Sequence, residues 1–218
     1  MKKLLLVSSI AAALAAPMFA HAESKTNLAA VSGGTASARL DFEIKIPAVL
    51  YIRIGTGNAV AAADNLTVDK ITFTVPALGL GDGTIPTAGT GGELAAGAGA
   101  VTVRVFSNFG TGVSLNAAAL GKLTSSGGDT IDWTEIGITS TALPATQATA
   151  NYTNGSLAHP VLTAAGVGTA VPIAAVAKLV RQETKWTFSY KNTTTPVAGS
   201  YGAGTGTNGQ LTYTVTQL

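Results

Sequence analysis

This sequence predicts an all-β fold, an antiparallel β-sandwich of about seven to nine strands. Three observations carry that expectation. Between residues 40 and 55, Leu40, Phe42, Ile44, Ile46, Leu50, Ile52 and Ile54 hold even positions while Asp41, Glu43, Lys45, Tyr51 and Arg53 hold odd ones, the period of a half-buried strand. The same alternation returns in Val101, Val103 and Val105, and again in Leu211, Tyr213 and Val215. Between these runs, residues 79–99 and 198–209 are dense in glycine, which is turn chemistry and not helix chemistry.

Taken in order, the chain opens on a targeting segment. Lys2 and Lys3 precede an apolar run over residues 4–16, and Ala20, His21 and Ala22 form a small-x-small cleavage site before Glu23. Residues 1–22 are therefore expected to be removed on export. The run is shorter than the about 20 apolar residues that span a bilayer, so no membrane span is expected. Residues 23–38 are polar and weakly patterned and read as a flexible N-terminal arm, leaving residues 39–218 as one sandwich domain.

In that domain the even face of residues 40–54 is expected to be buried. Pro47 lies on the odd face and keeps the phase; lacking an N–H, it belongs at a sheet edge or at a bend between two sheets, the bend being the preferred reading. Alternation resumes at Ile71, Phe73 and Val75 and stops at Pro76. Val113 and Leu115 read as the hairpin partner of the Val101 strand, across a turn supplied by Asn108 and Gly110. A short strand is expected around Ile131 and Trp133, and residues 139–168 read as a long decorated loop. Residues 172–183 are ambiguous. Ile173, Val176, Ala177 and Val180 have helical spacing behind Pro172, yet Val180 is in phase with Trp186, Phe188 and Tyr190. A strand from about Ala177 is the preferred reading and a short helix the alternative.

Composition narrows the function. Removing Lys2 and Lys3 from the 13 basic residues leaves 11, against 11 acidic ones, so the exported chain is close to neutral and nucleic acid is not an expected partner. Charged residues make up 11% of the chain, where roughly 25% is usual. A surface so poor in charge suits a subunit of an assembly. The chain has no cysteine, which excludes a disulfide framework and a cysteine-linked lipid anchor.

No motif points to catalysis. Residues 204–209 match the glycine spacing of a dinucleotide-binding loop, but a strand follows where the pyrophosphate needs a helix N-terminus, so no cofactor is expected. Beyond the leader His159 is the single histidine, too few for the usual zinc ligand sets, and no serine has nucleophile-elbow context. Asp129, Asp132 and Glu135 cluster near Trp133, yet a spacing of three on a strand sends Asp132 and Glu135 to opposite faces. An enzyme is not expected. Trp186 and Tyr213, in phase with strand neighbours, are expected in the core, whereas Tyr152 and Tyr201 lie in loop-like stretches and are the candidate platform for a carbohydrate ring.

The last strand has no charge from residue 211 to 218, where natural edge strands usually carry a lysine or proline. Leu211, Thr212, Thr214 and Thr216 are accordingly the candidate partner-binding residues.

In layout, the leader, the Thr-, Gly- and Ala-rich body, the early strand of residues 40–55 and the terminal strand of residues 211–218 resemble bacterial fimbrial subunits. That resemblance implies an exported structural or adhesive protein of the periplasm, cell surface or extracellular space. It also implies self-association or union with other surface subunits, an N-terminal arm that adds a strand to a neighbour, and a terminal strand gripped by a periplasmic assembly factor. The cysteine pair of many such subunits is missing, Tyr213 stands five residues before the end, and residues 23–38 hold few large apolar side chains. A monomeric carbohydrate-binding adhesin is the alternative, and a secreted hydrolase a distant third.

Overall fold

The computed structural model describes residues 24–28, 32, 34–57, 64–83, 86–94, 99–204 and 206–218. The expected leader and its cleavage site lie outside the described residues. The chain divides at the Ile46–Pro47 bond into two units.

In the first unit, residues 34–46 form no strand, and Leu40, Phe42, Ile44 and Ile46 are 69, 84, 83 and 78% exposed. The expectation that the even face is buried from residue 40 is therefore corrected. Alternation makes a run fit for pairing, but a strand also needs a partner for its backbone, and among the described residues no strand pairs with residues 34–46.

The second unit is all-β. Its strands in chain order are β1 (Leu50–Ile54), β2 (Ile71–Thr72), β3 (Thr87–Ala88), β4 (Thr90–Gly91), β5 (Ala100–Ser107), β6 (Val113–Ala118), β7 (Leu123–Thr124), β8 (Thr130–Ile131), β9 (Ile136–Thr141), β10 (Thr153–Asn154), β11 (Val171–Ile173), β12 (Val180–Tyr190) and β13 (Thr212–Gln217). Seven of these are three residues or longer. The described residues contain one single-turn 3-10 helix, Trp133–Glu135. It stands where a strand is expected around Trp133.

Two sheets face each other. In the larger, β5 lies between β1 and β12, with β9 on the far side of β12; all these pairs are antiparallel, and β10 adds a two-residue parallel pair. The smaller has the order β11-β6-β13. Ile52 pairs with Val105 and Ile54 with Val103. Together with Val101, Val180, Trp186 and Phe188 they meet Val113, Leu115 and Ile173 of the opposite sheet in one core. Burying each such side chain contributes about 1.5–3 kcal/mol. Trp186 is wholly buried and its indole donates to the Leu157 carbonyl at 2.7 Å, so its one polar atom is satisfied.

Three connections differ from the sequence reading. β5 and β6 are not a hairpin: both edges of β5 are occupied by β1 and β12, so residues 108–112 carry the chain across to the other sheet. Asn108 fixes that crossing, accepting from Val49 N at 2.7 Å and donating to the Pro47 carbonyl at 2.9 Å. Residues 139–168 are not all loop, because β9 runs to Thr141 and lays Ile136 and Ile138 on the core. The ambiguous residues 172–183 resolve into β11 and the start of β12, separated by a turn in which Ala177 and Lys178 take positive φ.

Candidate functional site

β13 and β1 are edge strands of the two sheets, as β11 and β9 also are. β13 pairs with β6 alone, and among the described residues no strand takes its other edge. β1 likewise pairs with β5 alone, and it runs close to β13. Their inward side chains, Ile52, Ile54, Tyr213 and Val215, pack on the core yet stay only half-buried. An open backbone edge thus borders an incompletely covered core. Unpaired N–H and C=O groups along such an edge are a template for a further strand.

Thr212, Thr214 and Thr216 are exposed on the outer face of β13, as their odd-even phase requires. Leu211 precedes the strand and packs half-buried beside Trp133 and Leu162. Three of the four sequence candidates therefore stand on β13, and Leu211 directly precedes it. Behind them, Tyr213 directs its hydroxyl inward to His159, with 2.8 Å between Oη and Nε2. His159 Nδ1 is 2.6 Å from the Pro160 carbonyl, and the ring stands edge-on to Trp186 at 4.6 Å between centroids. Burial lowers the His159 pKa to about 4 and raises that of Tyr213.

The two tyrosines proposed as a ligand platform belong to different clusters. The Tyr152 ring lies 5.6 Å from the Arg104 guanidinium, and burial raises its pKa. Tyr201 makes an isolated bridge to Ser125 and donates its hydroxyl to the Val197 carbonyl at 2.7 Å. An open cleft of about 530 Å³ between the end of β6 and residues 202–212 is lined by glycines, alanines, Leu120, Asn208, Gln210 and Thr212, with no aromatic ring to stack on a sugar.

The carboxylates near Trp133 are each engaged within the fold. Glu135 accepts from Thr193 N at 2.9 Å and from the Thr193 hydroxyl, Asp132 pairs with Lys122 at 2.7 Å, and Asp129 approaches the Ser125 hydroxyl. They fasten loops together.

Sequence reasoning missed the polar layer on the outer face of the larger sheet. Arg53, Arg104 and Glu183 occupy outward positions and yet are buried. Arg104 Nε donates to Glu183 Oε2 at 2.9 Å and its Nη2 to the Gln147 carbonyl at 2.9 Å, while Thr149 N donates to Glu183 Oε1 at 2.9 Å. Arg53 Nη2 donates to Glu93 Oε1 at 2.9 Å. Three charged residues at outward strand positions were visible in the sequence. The loops that cover them were not, because nothing local to those loops announces what they pack against.

Comparison with protein-family models, curated proteins and solved structures finds no match to this chain.

Proposed function

We propose that this chain is an exported structural subunit of a cell-surface assembly, joined copy to copy by strand addition. The observation that carries the reading is the run of Leu40, Phe42, Ile44 and Ile46, strand-like in sequence, exposed, and without a strand partner among the described residues. Four large exposed apolar side chains at alternating positions cost solubility in a lone chain. Seated against the free edge of β13 in a second copy, they would cover Tyr213, Val215, Ile52 and Ile54. At about 1.5–3 kcal/mol for each buried side chain, the gross gain is about 6–12 kcal/mol before the cost of association. The segment has seven residues and β13 has six, so the lengths match.

The resemblance to fimbrial subunits supports the same reading, with one change: the apolar content absent from residues 23–38 lies in residues 40–46. An exported destination rests on the leader pattern. Internal engagement of Tyr152 and Tyr201 weighs against the monomeric carbohydrate-binding alternative.

The test is the oligomeric state of the purified chain by light scattering and electron microscopy. Concentration-dependent oligomers or fibres are expected. A chain that stays monomeric at high concentration sinks the reading and leaves carbohydrate binding ahead.

A further inference from the structure

His159 stands between the two sheets. Its ring meets Trp186 and Phe188 of β12, at centroid distances of 4.6 and 6.1 Å, and Tyr213 of β13 at 5.5 Å, all near edge-on. Because the Pro160 carbonyl can only accept, Nδ1 carries the hydrogen of the neutral ring and Nε2 is left to accept from the Tyr213 hydroxyl. Both polar groups are thereby satisfied in an aromatic box.

A second proton breaks this arrangement. Nε2 becomes a donor, the Tyr213 hydroxyl must turn round to accept, and its own hydrogen is left facing apolar rings. The ring faces return part of the cost of a buried charge, but burial prevails and holds the His159 pKa at about 4. No charged side chain contributes to that shift. The groups facing the ring are Trp186 and Phe188 from β12, which do not titrate, Tyr213 from β13, which burial keeps protonated, and the Pro160 carbonyl of its own segment.

We propose that His159 and Tyr213 form an acid-sensitive latch on the terminal strand, in which protonation of His159 frees β13 from the core and so removes the edge that a second copy needs. Docking at that edge rests on the assembly reading above, whereas the latch is a property of the single chain. The sign follows from linkage: the folded chain binds this proton less well than the unfolded chain, whose histidine titrates near 6.5, so stability is held above that value and lost as pH falls toward about 4. Release is local because β13 has one strand neighbour, whereas β5 has two.

Hydrogen exchange of the full chain, kept monomeric by dilution and corrected for intrinsic rates, tests the latch between pH 7.5 and 4.5. Protection of β13 is expected to fall about tenfold or more below pH 6.5 while β5 stays protected. In His159→Phe, which fills the box without titrating, that selective fall should vanish. Unchanged β13 protection in the wild type, an equal fall in His159→Phe, or loss of β5 together with β13 each overturns the proposal. If His159→Phe does not fold, the imidazole titration of the wild type by NMR decides: a midpoint below 5 sustains the latch, and one at or above 5 removes it. None of these readouts requires oligomers, so failure of the latch and failure of the assembly reading are separable.

Discussion

Arg53 of β1 and Arg104 of β5 stand directly opposite each other across the ladder, both buried. Like charges in that position repel, and each is answered by its own glutamate, Glu93 for Arg53 and Glu183 for Arg104, both at 2.9 Å.

Glu183→Ala therefore leaves a buried guanidinium without a counter-ion and strands the Thr149 amide. Loss of about 3–5 kcal/mol in urea denaturation is expected. Replacing the pair together, as Arg104→Met with Glu183→Leu, should cost far less, since two well-packed apolar groups need no partner. Equal losses in the single and double variants would show that the charges do not act as a pair.

Ile44→Asp and Val103→Asp separate the two kinds of alternating residue. Val103 is wholly inside, so an aspartate there should unfold the domain. Ile44 is 83% exposed, so its replacement should change stability by no more than about 0.5 kcal/mol and abolish oligomers. Thermal melts with gel filtration read both. An unfolded Ile44→Asp chain would contradict the exposure of residues 40–46.

Thr214→Lys places a charge on the outer face of β13 without touching Tyr213 or Val215. The variant should fold as the wild type does and lose its oligomers, because a lysine on an edge strand obstructs pairing. Persistence of full-size oligomers on size-exclusion chromatography would point to another surface.

Asn108→Ala removes the two side-chain hydrogen bonds at the entry to β1, to Val49 N and the Pro47 carbonyl, and leaves the backbone bond from Asn108 N to the Val49 carbonyl. A loss of about 1–3 kcal/mol is expected. Faster amide exchange at Val49 and Leu50 should accompany it, and unaltered exchange there would mean that the clip holds nothing.

How much of this was legible in the sequence depends on how local each signal is. Period two placed Ile52, Ile54, Val103, Val105 and Trp186 on the inner face, because side-chain direction in a strand is set by the residue's own backbone. It could not distinguish Ile52 from Ile44. The two obey the same rule, and what separates them is the presence of β5 beside one of them. Pairing was misread for the same reason: Asn108 and Gly110 announce a turn but not which sheet the chain enters next. Among the site residues, Thr212, Thr214 and Thr216 lie exposed on β13, where the alternation and the lack of charge in that run could be read locally. The partners of Tyr152 and His159 are 48 and 54 residues distant, at Arg104 and Tyr213, beyond the reach of any pattern.

Pro47 has a mechanical consequence for a filament built as proposed. It cannot donate to a ladder, so pairing made by residues 40–46 ends there, and residues 47–49 alone separate that pairing from β1. Fully extended, they span roughly 10 Å, which leaves almost no slack between successive bodies. Tension arriving through Pro47 would enter at β1 and depart through β13, strands that run close together. Most of the domain, including β9 and β12, would lie off the line of force. Because β1 and β13 belong to different sheets with no ladder between them, pulling such a filament would load the side-chain packing between the sheets along that rim.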